Sequence, residues 1–349
     1  MRHLTARAFL LWFMGATLVV LLALALLPHD GYVRYQLVSR ESVHYLRLKW
    51  IYERIHFDDT PIDVAFIGTS HTQSGIDDAR VEAGLRELGV AQRVVNFAVP
   101  HLGRDMEFVV ARELLAHRRV RTLVVELQEA EARAPHPGFQ RLGLPLDFVQ
   151  APLLLNTGLF ENLVRLPLRQ AKYALASAMP GAFGVQPGFD PATYEGPHWN
   201  DTYVGHGFTE PRTRRMGWEF HQAELMRLRR ETDGKEALAR RLDALPLEAN
   251  LLFRYNEIYL RRIAELARAK GTQVVFLYLP APDARRLPRV ARWTQAYGPL
   301  LDARELLRSS TLWQNADHVN VYGAHAVSDW MAAQLAGQGA TAAAARQGP

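Results

Sequence analysis

The sequence predicts an α/β domain on a parallel sheet with helices on both faces, behind one apolar N-terminal helix and interrupted by a helical insertion. Three observations predict it. Between Ile62 and Leu127 short β-rich runs alternate with helical stretches, the rhythm of a sheet covered on both faces. The rhythm fails from Pro135 to Pro246 and resumes after it. Ahead of both, Ala8 to Leu27 runs without a charge, and about 20 apolar residues suffice to cross the hydrocarbon core as a helix.

Arg2 and Arg7 precede that run and no basic residue follows until Arg34. The positive-inside rule then puts the start in the cytoplasm and the rest outside, a single-pass protein of the inner membrane. A cleaved signal peptide competes, with Ala23-Leu24-Ala25 resembling its cleavage site, although the apolar run is long for one. A buried core helix is the third reading. Residues 1–30 are thus read as the anchor and 31–58 as a polar, partly helical neck.

Ile62 to Ile67, closed by Gly68, reads as the first strand. A helix follows over Asp77–Leu88, then a strand at Arg93–Phe97, a helix from Arg104 to His117 and a strand over Thr122–Leu127. This is the first part of the domain, 59–134. Residues 135–247 hold Pro/Gly-rich loops, apolar helical segments from Phe148 to Ala178 and an arginine-rich helix over Arg212–Arg230. They are too long for one loop of a compact domain and read as a cap or lid. The second part, 248–337, has a helix from Ala249 to Lys270, a strand over Thr272–Leu279, a weak strand near Leu300–Leu301 and a last helix from Gly323 to Leu335. The tail, 338–349, reads as disordered.

Composition narrows the function. The chain has 349 residues, no cysteine and a net charge of +5. That excludes disulfides, thiolate metal sites and a cysteine nucleophile. The basic residues form no aromatic-interleaved patch, so nucleic acid is not an expected partner. No glycine-rich phosphate loop and no metal-ligand spacing stands out, so neither metal nor cofactor is expected.

Ligands of open parallel sheets bind beyond the carboxyl ends of the strands. Four polar clusters fall there or in the loop before the last helix: Gly68-Thr69-Ser70-His71, Asn96 to Gly103, Glu126 to Glu129, and Asn315 to Asn320. Ser70 can sit in a tight turn whose backbone N–H groups face an incoming carbonyl oxygen, or it can merely cap a helix. A serine nucleophile needs an imidazole base, and the imidazole needs an acceptor that fixes its tautomer. His318 offers the base.

These blocks resemble the SGNH/GDSL hydrolases. Gly68-Thr69-Ser70-His71 looks like the first block, with Ser70 as nucleophile. Asn96-Phe97-Ala98-Val99-Pro100-His101-Leu102-Gly103 looks like the second, whose glycine, here Gly103, donates an N–H to the oxyanion. Asp317-His318-Val319-Asn320-Val321-Tyr322-Gly323-Ala324 looks like the last, with His318 as base. The resemblance covers about 60–131 and 249–335 and is closest to the membrane-anchored branch that handles acyl groups on envelope polymers, including alginate acetylation and teichoic-acid alanylation proteins. It implies a flavodoxin-like sheet. It also implies a Ser70 acyl-enzyme passing its group to a sugar hydroxyl or to water, with envelope or exported polysaccharide and a membrane O-acyltransferase as partners.

Two departures matter. The family's acid lies three residues before the histidine, where this chain has Asn315, and Asp317 is adjacent to His318. The family's third block gives an asparagine to the oxyanion hole, where Gln128 is here the nearest amide. Ser70, Gly103, Gln128 and Asn96 are therefore the oxyanion candidates. His71, His101 and Trp199 are candidates for substrate contact, with Asn200, Asp201 and Tyr203 near Trp199 suited to a sugar. The structural alternative for each is a helix-start or loop histidine and a packed loop. Two functions remain: an extracytoplasmic acyltransferase or esterase, and a non-catalytic scaffold of the same fold that binds polysaccharide or a membrane partner.

Overall fold

The computed structural model describes residues 5–128, 135–152, 158–199, 254–281, 287–288, 290–315 and 318–346, with four single positions at 223, 226, 227 and 230. Five strands form one parallel sheet: β1 (Val64–Ile67), β2 (Val94–Asn96), β3 (Thr122–Leu127), β4 (Gln273–Tyr278) and β5 (Leu300–Asp302). Their order is β2-β1-β3-β4-β5, the 2-1-3-4-5 order of flavodoxin-like sheets. Val64 pairs with Val94 on one side and Thr122 on the other. The expected strands are all present: β3 has the expected bounds, β1, β2 and β4 are trimmed by a residue or two at their ends, and β5 extends one residue further, to Asp302.

The strands are apolar throughout because both faces are covered, and the period of two sorts them into two cores. Ala65, Ile67, Val95, Leu123, Val125, Val274 and Phe276 face one core. Val64, Phe66, Val94, Val124, Val275 and Leu277 face the other. Over the first face lie α3 (Arg47–His56), α6 (Arg104–His117) and α10 (Arg254–Ala269). Over the second lie α4 (Ser70–Gly75), α5 (Asp78–Glu87) and the long α12 (Val321–Arg346). Asp77 caps α5 by accepting from Arg80 N–H at 3.0 Å, and Asn320 starts α12 by accepting from Tyr322 and Gly323 N–H, each at 3.0 Å.

Three boundaries differ from the expectation. The neck is no neck: α2 (Gly31–Ser39) and α3 pack on each other and α3 packs on α6, burying Tyr35, Trp50 and Ile51 in the first core. Its polar residues mislead because several are buried and bonded. Arg47 donates to Ala98 O at 3.1 Å and Asn96 O at 2.6 Å, and Arg54 to Thr60 O at 2.9 Å and Pro61 O at 3.0 Å. The described part of the insertion, α7 (Phe139–Leu142), α8 (Pro145–Val149), α9 (Leu159–Ala178) and the loop to residue 199, packs beside these helices. The expected helix over 212–230 lies almost wholly outside the described residues. The tail is not disordered along its length, because α12 continues to Arg346 through an alanine-rich stretch of high helix propensity.

The N-terminal helix, α1 (Ala6–Ala25), is long and apolar enough to cross a membrane. Only Ala25 in it is buried, while Phe9 to Leu22 expose most of their large side chains. This excludes the core-helix reading.

Candidate functional site

β1 is flanked by β2 on one side and β3 on the other, so the chain changes direction around it, and such a switch point opens a crevice at the carboxyl edge. Two groups meet there. After β1, Thr69 caps α4 and its hydroxyl accepts from His71 N–H at 3.4 Å, so Ser70 becomes the first residue of the helix. At the end of β3, the buried Glu126 carboxylate reaches under the same turn. It accepts from Thr69 N–H at 2.8 Å, Thr72 N–H at 3.3 Å, Thr72 Oγ1 at 2.6 Å, Thr69 Oγ1 at 3.0 Å and Gln128 Nε2 at 3.1 Å. Gly68 is required by this packing, since a Cβ there would stand 2.4 Å from Glu126 Oε2 and 2.6 Å from Thr72 Oγ1. Burial alone would raise the Glu126 pKa. His71 and the hydrogen bonds from Thr72 and Thr69 outweigh burial and hold it below the ordinary glutamate value.

The N–H groups of Thr69, His71 and Thr72 are thus taken up within the protein. Among the described residues neither the N–H nor the hydroxyl of Ser70 has a hydrogen-bond partner. The N–H of Gly103 is likewise unpaired among them. Gly103 begins α6 at φ +145°, a conformation that favours glycine, and a Cβ there would meet His136 Cβ at 2.4 Å and His136 N at 2.6 Å.

The loop before α12 brings in His318. Trp313 and Val319 pair as an antiparallel bridge, and Gln314 N–H donates to His318 O at 2.9 Å, which makes a tight turn around His318. Asn315 Oδ1 accepts from His318 N–H at 2.8 Å and lies 3.1 Å from His318 Nδ1. The backbone donor fixes that amide atom as the oxygen, so Nδ1 carries the proton and Nε2 is left as the basic nitrogen. The His318 ring stands edge-on to His71, centroids 6.1 Å apart. His71 Nδ1 is 3.9 Å from Glu126 Oε1. A cleft beside them is lined by His71, Gly75, Leu279, Pro280, Trp313 and Val319. His71, the residue next to Ser70, therefore stands beside His318, and among the described residues no hydrogen bond joins Ser70 to His318.

Other candidates fare differently. Asn96 is buried, and its amide donates to Thr72 O at 3.0 Å and Ile76 O at 2.9 Å while its oxygen accepts from Ala98 N–H at 3.1 Å. Both amide hydrogens are spent on tying α4 to β2, which corrects its reading as an oxyanion donor. Gln128 is 5% exposed and spends a hydrogen on Glu126. Trp199 is 9% exposed and packs on Trp50 with ring centroids 5.9 Å apart, so it belongs to the core and offers no face to a sugar. Asp317, Asn200, Asp201 and Tyr203 lie outside the described residues.

His101 is exposed and holds φ +78°, the single non-glycine positive φ among the described residues. It stands 4.5 Å from the His44 ring and 5.9 Å from His136. His136 is buried, donates from Nε2 to Pro100 O at 2.6 Å and accepts from Gly138 N–H at 2.8 Å; burial pushes its pKa down to about 4. Asp105, beneath the same loop, accepts from His136 N–H at 3.0 Å and Tyr255 OH at 3.1 Å, and burial pushes its pKa up to about 7. Nothing in the sequence spacing joins His44 and His136 to this loop, since they arrive from the helices before β1 and the insertion after β3. At the far end of α6, His56, Glu113 and His117 bring ligand-type atoms within 4.8 Å of one another. The positive charge of Arg34 acts on the same Glu113 carboxylate and disfavours a cation there.

Comparison with protein-family models, with curated proteins and with solved structures returned no match.

Proposed function

We propose that this chain is a membrane-anchored serine acyltransferase or esterase of SGNH type, acting outside the cytoplasm on O-acyl groups of an envelope or exported polysaccharide. The observation that supports this reading is the His318 ring, its tautomer fixed by Asn315, standing beside His71, the neighbour of a Ser70 that is unpaired among the described residues. In this reading Ser70 Oγ attacks the ester carbonyl and His318 Nε2 takes its proton. The Ser70 and Gly103 N–H groups receive the oxyanion. The tetrahedral intermediate expels the first alcohol, which takes the proton back from His318. A second hydroxyl or water then attacks the acyl-enzyme by the same path. The polysaccharide acceptor, the O-acyltransferase partner and the inner membrane as location rest on the motif resemblance and on the basic residues before α1.

A second reading is supported by the negative charge that Glu126 places under the Ser70 turn and by the absence of a Ser70–His318 hydrogen bond. In it the domain is a scaffold that binds polysaccharide or a membrane partner. A fluorophosphonate probe separates the two: covalent labelling lost in Ser70→Ala and diminished in His318→Ala supports the enzyme. Equal labelling of wild type and Ser70→Ala, or none of either, leaves the scaffold. Alkaline phosphatase fused after Pro349 should be active, and a silent fusion would overturn the topology.

A further inference from the structure

Helix α9 has two apolar faces, and the core explains one of them. Leu166 and Tyr173 point inward and are buried. Phe160, Val164, Leu168 and Leu175 form a separate stripe at helical spacing on the outer surface, 81%, 59%, 72% and 52% exposed. A contiguous exposed stripe of this kind marks an interaction surface.

Its place says what covers it. α9 packs against α1. Its C-terminal half is tied to the residues that follow α1: Asp30 N–H donates to Ser177 Oγ at 2.9 Å, and the His29 and Tyr173 rings lie 5.4 Å apart. A helix whose end is held against a membrane-crossing segment at its exit has that end at the bilayer surface. The charges agree with that height. Beside the stripe, Arg165 and Lys172 are exposed, long enough to place their cations among head groups while their stems lie along apolar surface. Arg169 is turned inward onto Gln140 O and Gly143 O, so the outward charges of the helix are Arg165 and Lys172 against Glu161. That suits an anionic surface and prevents α9 from spanning the membrane itself.

We propose that α9 is a second membrane contact, its Phe160–Val164–Leu168–Leu175 stripe lying in the interfacial layer of the bilayer that α1 crosses. The proposal rests on the reading of α1 as a membrane span. It gives the domain a two-point attachment that fixes how the carboxyl edge of the sheet is presented to material at the membrane. A second copy of the chain or a partner protein on the same stripe is the competing occupant.

The chain has no cysteine, so single spin labels can be placed without background. The full chain would carry Phe160→Cys, Val164→Cys, Leu168→Cys, Arg165→Cys or Val19→Cys in phosphatidylethanolamine–phosphatidylglycerol vesicles. Collisions with oxygen, which enriches in lipid, and with a water-soluble nickel chelate would then be measured. The expected result is loss of nickel collisions and gain of oxygen collisions at 160, 164 and 168, with the reverse at 165. Nickel access at 160, 164 and 168 equal to that at 165, with Val19→Cys still in lipid, overturns the α9 contact and leaves the span intact. Shielding of the stripe from both reagents means a protein occupant and also overturns it. Nickel access at Val19→Cys overturns the span itself.

Discussion

Replacing Glu126 tests how the Ser70 turn is held. Glu126→Leu removes the acceptor for two backbone donors, Thr69 N–H at 2.8 Å and Thr72 N–H at 3.3 Å, and for Gln128 Nε2 at 3.1 Å. The hydroxyls of Thr69 and Thr72 can rotate to other acceptors, but the three N–H donors sit in buried residues. Each buried donor left unpaired costs about 1–3 kcal/mol. Allowing for the long Thr72 bond and the freedom of Gln128, the loss is about 4 kcal/mol, a large share of the roughly 5–15 kcal/mol that holds a domain. Glu126→Gln keeps one acceptor oxygen, best used where Thr69 and Thr72 converge. Its NH2 faces Thr69 Oγ1 and Gln128, both able to turn and accept. That change exchanges charge-assisted bonds for neutral ones and costs about 1–2 kcal/mol.

The assay is guanidinium unfolding of the full chain in detergent micelles, followed by tryptophan fluorescence. pH supplies an independent check. The folded-state pKa of Glu126 is lowered, so its stabilisation is present above the ordinary glutamate value and is lost as pH falls through the folded value. Acidification should therefore cost the wild type more than Glu126→Gln. A Glu126→Leu protein within about 1 kcal/mol of wild type, well below the cost expected for three orphaned donors, would refute the reasoning. So would a Gln variant as damaged as the Leu variant.

Three further outcomes are expected. Gly103→Ala forces a Cβ to 2.4 Å from His136 Cβ at a φ that L-residues avoid, and should cost at least about 2 kcal/mol along with any Ser70-dependent esterase activity; retention of both contradicts the placement of Gly103. Asp105 has its pKa raised to about 7 by burial, so its contribution is complete below the unfolded value and is lost as pH rises through about 7. Asp105→Asn should flatten the fall in stability between about pH 4 and pH 7, and an unchanged pH profile would count against the buried neutral carboxyl. Asn315→Asp keeps both hydrogen bonds to His318 and adds a charge about 3–4 Å from the imidazole, worth about 1–2 kcal/mol at a partly exposed site. Esterase turnover should rise about 5- to 30-fold, while a fall would show that Asn315 does not orient His318.

The strands were legible because β-branched and aromatic runs closed by glycine have few alternatives, and the glycine and serine at the end of β1 follow from that placement. The region before β1 was misleading for a reason visible in Arg47 and Arg54. Charged residues read as solvent-facing, yet both guanidinium groups are buried against backbone carbonyls that arrive from other elements. Trp199 fails likewise: an aromatic beside amides reads as a sugar platform, and only its packing on Trp50 shows it to be core. Asn96 stands at the right strand end, but its hydrogen bonds to Thr72 and Ile76 depend on where α4 lies. Tertiary partners decided each of these.

The same dependence bears on the chemistry. Relative to the SGNH pattern that the motifs resemble, an acid and an amide have exchanged places. Asn315 stands by His318 where the resemblance puts a carboxylate, and the strand end where it puts an asparagine carries Glu126 under the Ser70 turn, with Gln128 the nearest amide. The first exchange preserves the tautomer of His318 and gives up the charge that would stabilise its imidazolium. In the enzyme reading the second would leave the oxyanion to the Ser70 and Gly103 N–H groups, because Gln128 donates to Glu126. Removing one oxyanion donor costs about 10²–10³ in turnover in a serine protease. In the enzyme reading both exchanges slow acylation and deacylation alike, since both steps use the same base and the same oxyanion donors. Covalent capture by a fluorophosphonate, which needs one attack and no turnover, is the measurement on which the enzyme and the scaffold differ most.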